Sequence, residues 1–359
     1  MEQAISIKKA TASPDFSKWA VVGLNDDTGL GRMACDVRSV LGFGQHVVIP
    51  SERLQTRPLL SPRDVILDRK AERAVIKNAI EGLEGLLILE RHDWVPDLLK
   101  IAREKGVRTV CVPMWEWFRG HLSEWRDCDL FACPNKFCVQ IVQSYGFRNA
   151  VYLPWALDLE KLPKRSIAGP ARHFVHNAGL VDADDRKGTR DTIKAFAKVK
   201  RTDLRLTVRM QKEAELPKHD ERVQIEIGNQ ESLADLYSVG DAAIQPSKME
   251  GLGFMVLEPV CSGIPVITTN YPPMNEWVQQ PELRCNLRWF KRKAFATQWV
   301  KHAHLRLPSI DDLARRIEWC ADNDLRGISQ GNRFWAERIF SRDSLLNHWR
   351  SVIKEFFKL

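Results

Sequence analysis

The amino-acid sequence predicts an α/β protein made of two doubly wound domains facing across a cleft. Three observations carry that expectation. Short apolar runs alternate with segments of helical spacing along the chain. The alternation breaks once, in "LDLEKLPKRSIAGPARH", and then restarts. A length of 359 residues is comfortable for two domains and long for one core.

The elements follow in order. "KWAVVGLND" is a near-continuous apolar run ending in a polar loop, the pattern of a buried parallel strand. "GRMACDVRSVLGFG" has apolar residues at helical spacing and stops at glycine. "HVVIP" and "GLLILE" are strands with the helix "AERAVIKNAIEGL" between them, and the helix "VPDLLKIAREKG" leads into the strand "VRTVCVPMW". "DLFACPN", "KFCVQIVQSYG" and "AVYLPW" complete a first domain over 1–165. Two prolines and a glycine mark a linker near 158–171. A second domain over 170–340 repeats the pattern: strand "HFVHNAG", helix "GTRDTIKAFAKVK", strands "LRLTVRM" and "VQIEIG", helix "ESLADLYSVG", strand "AAIQPS", helix "GFMVLEPVCSG", strand "PVITT". The last segment, "SRDSLLNHWRSVIKEFFKL" (341–359), is an amphipathic helix with a serine cap.

Composition narrows the partners. A net charge of +8 and a pI of about 9.1 favour nucleotides, nucleic acid or anionic headgroups. No apolar run is long enough to span a bilayer, and the N-terminus has no signal-peptide core, so a cytoplasmic protein without a transmembrane segment is expected. The eight cysteines are scattered and read as reduced and mostly buried. Zinc at Cys128, Cys133 and Cys138 would need a fourth ligand and tighter spacing.

Ligands of open α/β sheets sit beyond the carboxyl ends of strands, so the residues just after each strand are the candidates. After the first strand, Gly29 and Gly31 in "NDDTGLGRMA" let backbone N–H groups approach an anion at a helix start near Arg32. A nicotinamide-dinucleotide site competes, since Gly29, Gly31 and Ala34 fit G-x-G-x-x-A with Glu52 about 20 residues on. That fingerprint wants its first glycine tight against the strand, and here Asn25 to Thr28 intervene. After "HFVHNAG", Arg186 and Lys187 precede a helix start near Thr189, a pairing that suits a diphosphate or is merely a solvated basic pair. In "SKMEGLGFMVLEPVCSGIPVIT", Glu250 lies in a glycine loop and Glu258 one turn into the next helix. A carboxylate accepts two adjacent hydroxyls at once, so one glutamate fits a ribose and the other a hexose; the bland reading is a solvated helix edge.

Glu250-x7-Glu258 followed by "CSGIPVITTN" resembles the E-x7-E element of retaining glycosyltransferases of the large GT-B class, the family that includes sucrose and glycogen synthases. "DRKGTRDTIKAF" resembles that family's R-K-G segment, and "TGLGR" its N-terminal glycine loop. "PNKFCVQIVQSYGF" and "YLPWALD" are similar to its approach to the linker. The resemblance implies two Rossmann-like domains, with the last helix crossing back to the first. It implies that Glu258 binds the nucleotide ribose, Glu250 faces the donor sugar and Lys187 contacts the diphosphate. It also places Gly29, Gly31 and the backbone N–H groups of Gly253, Phe254 and Met255 around the donor. The family's "GR" arginine is absent, because leucine follows Gly179; Arg186 or Arg209 supplies the cation instead. Where relatives carry a histidine, this chain has Glu116, with His92 the nearest histidine; either is a candidate for substrate contact. Charge on the leaving diphosphate is then met by these cations, and no metal or other cofactor is expected.

The acceptor is open. From Leu283 to Ile310 there is no acidic residue, and Lys291, Arg292 and Lys293 stand among Trp289, Phe290, Phe295 and Trp299. Basic residues with interleaved aromatics suit nucleic acid, anionic lipid or a plain covering loop. The expected function is transfer of a hexose from a nucleoside-diphosphate sugar, a UDP-sugar favoured, to a glycan, a lipid-linked sugar or a small molecule. The alternatives are a bacteriophage-type enzyme acting on a modified base in DNA, and a non-catalytic nucleotide-sugar binder.

Overall fold

The computed structural model describes residues 14–26, 28–51, 55–91, 94–294 and 302–359, with the backbone alone for 290–294. The chain divides into two compact units. One comprises Met1–Cys111, Arg126–Leu130 and Arg342–Leu359, the other Val112–Trp125 and Phe131–Ser341.

The first part of the chain folds as β1 (Trp19–Leu24), α1 (Gly29–Asp36), β2 (Gln45–Ile49), β3 (Val65–Ile66), α2 (Arg73–Ala79), β4 (Gly85–Glu90), α3 (Leu98–Glu104) and β5 (Arg108–Pro113). Then come β6 (Leu130–Cys133), α4 (Lys136–Ser144) and β7 (Ala150–Tyr152). The order of this seven-stranded sheet is β3-β2-β1-β4-β5-β6-β7. The described pairings β1–β2, β1–β4, β2–β3 and β6–β7 are parallel. The strands are apolar along their length because helices cover both faces: every residue of β1 is buried. The sequence places the first helix start near Arg32; it lies at Gly29, because Thr28 accepts the Gly31 N–H and caps the turn.

The second sheet is built of β8 (His173–Gly179), β9 (Arg205–Met210), β10 (Val223–Ile227), β11 (Ala242–Gln245), β12 (Val266–Thr269) and β13 (Arg284–Cys285). Its order is β10-β9-β8-β11-β12-β13, parallel throughout. The helices interleaved with it are α5 (Thr189–Lys198), α6 (Leu233–Leu236), α7 (Phe254–Cys261) and α8 (Met274–Trp277). Central strands β11 and β12 are buried throughout, while edge strand β10 is buried only at Val223. The predicted helix in "ESLADLYSVG" shrinks to the four residues of α6, started by the Ser232 cap.

The described part of the acid-free segment includes two strands. It forms β14 (Leu287–Ala294) and β15 (His304–Pro308), an antiparallel pair with Arg292 opposite Arg306. After it come α9 (Ile310–Asp322), α10 (Arg326–Phe340) and α11 (Arg342–Phe357). In α11 the buried residues are Leu345, Trp349 and Ile353, four apart on one stripe that packs on residues 37–41 of the first unit. The eight cysteines are free, seven of them buried.

Candidate functional site

The loops that leave the carboxyl ends of β8 and β11 carry the charged groups. Strand β8 ends at Gly179 with φ of +63°, and Leu180 beyond it is 61% exposed. The next turn uses two left-handed residues, Asp185 (φ +48°) and Gly188 (φ +76°), with Arg186 and Lys187 between them. A side chain on Gly188 would put Cβ 2.6 Å from the Pro246 carbonyl oxygen, so glycine answers both a conformational and a spatial need. The Asp185 carboxylate starts α5 by accepting the N–H groups of Thr189 (2.8 Å) and Arg190 (3.1 Å). Beneath it, fully buried His176 donates from Nδ1 to the Ile244 carbonyl (2.6 Å), and its Nε2 accepts from the Thr189 hydroxyl (2.9 Å). Burial pushes this imidazole down to about 4, so it stays neutral and ties α5 to the sheet.

The loop after β11 is held by its carbonyls. The Trp115 indole donates to the Glu250 carbonyl (2.7 Å), the Asn135 amide to that of Gly251 (2.8 Å), and the Trp277 indole to that of Leu252 (2.7 Å). In a trans peptide the N–H points opposite the C=O, so each following N–H, from Gly251 to Gly253, is turned away from the donor that holds its peptide. Glu116 lies against this loop: a Cβ on Gly251 would come within 2.4 Å of its Oε1, so only glycine admits the carboxylate there. Helix α7 then begins with Gly253 (φ +84°) as its cap, and Phe254 and Met255 form the first turn, where N–H groups have no acceptor within the helix.

Charge converges on Glu250. Its carboxylate takes Lys187 Nζ at 2.6 Å and Arg186 Nη1 at 2.9 Å, and Arg186 Nη1 also donates to the Met249 carbonyl. Burial alone would raise this carboxyl; the charges of Arg186 and Lys187 outweigh it and hold it at about 2. The Glu250 charge in turn raises Arg186, while burial lowers Lys187. Glu258, on α7, is fully buried and accepts the Tyr237 hydroxyl at 2.6 Å. Two cations and Glu250 thus meet beside the N-terminus of α7, the helix that carries Glu258, an arrangement able to hold an anionic group beside hydroxyl-rich rings.

Residues 172–301 match the family model described as glycosyl transferases group 1. Among curated proteins the chain has no match. Solved structures share the fold across nearly the whole chain. A glycosyltransferase from Rickettsia africae is 12% identical, with a TM-score of 0.65, over 95% of this chain and 99% of that one. The lipopolysaccharide outer core galactosyltransferase WaaB is 14% identical with a TM-score of 0.61, over 95% and 99%. Sucrose-phosphate synthase from Thermosynechococcus elongatus is 12% identical with a TM-score of 0.61, over 95% and 99%. The chain has the GT-B fold, and the match to glycosyl transferases group 1 lies in its second unit.

The second unit brings together Glu250, Arg186, Lys187 and Glu116. Arg209 is engaged elsewhere: it bonds Glu226 (2.8 Å) and the carbonyls of Asp235 and Leu236, holding the end of α6. Gly29 and Gly31 begin α1 in the first unit. His92 lies outside the described residues, as do the side chains of Lys291, Arg292 and Lys293. Among the described residues no group of acidic, histidine or cysteine side chains is arranged to hold a metal, and no helix is long and apolar enough to cross a membrane. Sequence reasoning missed Tyr237, Trp115, Asn135, Trp277 and Asp185. Asp185 had a signal, an acidic residue four positions before the first residue of α5. Trp115, Asn135 and Trp277 had none, since their partners are backbone carbonyls far along the chain.

Proposed function

We propose that this chain is a glycosyltransferase that moves a hexose, with retention of configuration, from a nucleoside-diphosphate sugar to an acceptor hydroxyl, a UDP-sugar being the donor to try first. The observation that carries the reading is Glu250 bonded at 2.6 Å to Lys187 and at 2.9 Å to Arg186, with Glu258 buried eight residues on. On this reading Glu258 accepts the ribose hydroxyls and Glu250 those of the sugar. Lys187, Arg186 and the first turn of α7 meet the negative charge that grows on the leaving diphosphate. The acceptor hydroxyl attacks from the face the diphosphate leaves. With two cations at the phosphates the transfer needs no added metal, which activity in excess EDTA checks.

Hydrolysis of a panel of sugar nucleotides without acceptor, followed by HPLC, tests the donor. No turnover of any donor would favour a binding protein over an enzyme. Coupling constants of the product's anomeric proton test retention. Glu258→Ala should weaken binding of the preferred nucleotide about ten- to a hundredfold by calorimetry with UDP and GDP, the loss expected for a hydrogen bond to a charged group. Unchanged binding would remove Glu258 from the donor site. For the acceptor, Trp289 is 81% exposed on the strand that carries Lys291, Arg292 and Lys293, which favours a polyanion such as DNA. Replacing those three cations by alanine should then flatten the salt dependence of a DNA gel shift by about two to three units of slope.

A further inference from the structure

A second charge cluster lies under the Arg186–Lys187 turn. Lys248 is 7% exposed, and its ammonium stands 3.1 Å from Asp185 Oδ2 and 3.1 Å from Asp191 Oδ2. Asp191 also takes the Arg288 guanidinium at 2.8 Å, so two cations balance two carboxylates. The backbone of Lys248 grips the same turn: its N–H donates to the Arg186 carbonyl at 2.8 Å. Its own carbonyl accepts the Arg306 N–H at 2.8 Å, from strand β15. One residue therefore holds the turn by main chain at Arg186 and by side chain at Asp185.

That grip falls where the turn is hardest to hold. Asp185 is a non-glycine residue in the left-handed region, a conformation that persists only where its surroundings over-determine it. Its carboxylate has both to cap α5 and to face Asp191, and without an ammonium between them two buried carboxylates repel. Arg186 and Lys187 are the next two residues, and their reach to Glu250 follows from the turn's shape. We propose that Lys248 is a positioning residue that fixes the Asp185–Gly188 turn and so presents Lys187 and Arg186 to the donor diphosphate; it touches no substrate and acts through Lys187. This rests on the donor reading given under Proposed function.

The test compares Lys248→Met, Lys248→Arg and Lys187→Ala with the Lys187→Ala/Lys248→Met double variant. Lys248→Met should lower kcat about ten- to a hundredfold with KM nearly unchanged, the cost of a misplaced group, and Lys248→Arg should recover most of it. On the Lys187→Ala background the same change should cost less than about twofold, because residues acting through one another are not additive. Equal losses on both backgrounds would overturn the proposal. A second readout needs no activity. In Lys248→Met, acetic anhydride labelling of Lys187, measured by mass spectrometry against exposed Lys198, should rise several-fold; unchanged labelling would overturn the proposal. If Lys248→Met does not fold, Asp185→Asn keeps a capping oxygen while removing the ion pair, and the same labelling rise is expected. If the wild-type chain turns over no sugar nucleotide, the donor reading fails and the labelling alone decides the role of Lys248.

Discussion

The turn after β1 and the turn after β8 occupy equivalent places, each joining the first strand of a unit to a helix, yet they are built to opposite ends. In the first, Asp26 accepts both the N–H and the hydroxyl of Thr28 (3.0 and 2.5 Å), and Thr28 accepts the Gly31 N–H (3.3 Å). The helix N-terminus is met by the chain's own oxygens, and an anion reaching Gly31 has to compete with them. In the second, Asp185 caps α5 just as locally, but the left-handed turn lifts two cations clear of the cap and sets them on Glu250. Glycine spacing alone makes a tight turn. Charge placed between two left-handed residues makes one that presents two cations to Glu250.

The strongest test of that contrast substitutes the charge in one turn and the glycine in the other. Lys187→Ala should lower kcat about 10²- to 10³-fold, the usual loss when one group stabilising transition-state charge is removed. Gly29→Ala should leave kcat within about twofold, since no heavy atom outside its own chain neighbours and helix backbone lies within 4 Å of the added Cβ and helical alanine is favourable. Steady-state kinetics on both variants decide it, and a Gly29→Ala loss as large as that of Lys187→Ala would reverse the comparison.

The two regions share one device, a buried neutral histidine. His46 on β2 donates to the Gly23 carbonyl (3.3 Å), as His176 does to that of Ile244. Burial lowers both from 6.5 to about 4. An unfolded histidine takes its proton near pH 6.5 and the folded one only near 4, so the unfolded chain binds more protons in that window. Stability present above pH 6.5 should fall as pH drops, each histidine contributing up to about 3 kcal/mol of loss by pH 4. Urea melts of the wild type, His46→Gln and His176→Gln at pH 7 and pH 5 check this. Each variant should flatten the slope, and a slope left intact in both would show that these rings do not govern it.

Sterics give a smaller contrast within the first turn. A Cβ on Gly31 would lie 2.2 Å from the Asp26 carbonyl oxygen, whereas Gly29 has open space. Gly31→Ala should destabilise by about 1–3 kcal/mol, the range for overpacking, and Gly29→Ala should not. Thermal melts of the two variants distinguish them.

The sequence made the two sheets legible and singled out Glu250 and the Arg186–Lys187 turn, because each rests on local pattern; that the three pair with one another it did not show. Alternating strands and helices leave periodicities, and a loop glutamate or a basic pair stands in one short stretch. What stayed hidden is what comes from afar. Trp115, Asn135 and Trp277 hold three successive carbonyls of the Glu250 loop, and the indoles read in sequence simply as core aromatics. Arg209 shows the reverse. It ends a strand as a phosphate-binding cation would, but Glu226 on the neighbouring strand stands opposite it in register and takes its guanidinium. Strand β14 was hidden by the basic and aromatic run Arg288–Lys293, which has no apolar/polar alternation to betray a buried face.

The smallest expected effect concerns how Glu258 is aimed. Its neighbour Tyr237 is fully buried and donates to Oε2 at 2.6 Å. Tyr237→Phe keeps the ring and removes one hydrogen bond, which typically contributes about 0.5–1.5 kcal/mol. If the hydroxyl aims Glu258, nucleotide affinity should fall about two- to tenfold while the melting temperature moves little. The loss should vanish on a Glu258→Ala background, where there is no carboxylate to aim. Calorimetry with UDP and GDP on the two single variants and the double variant separates this from a packing role. A packing role would lower the melting temperature and leave affinity unchanged, or cost the same affinity with and without Glu258.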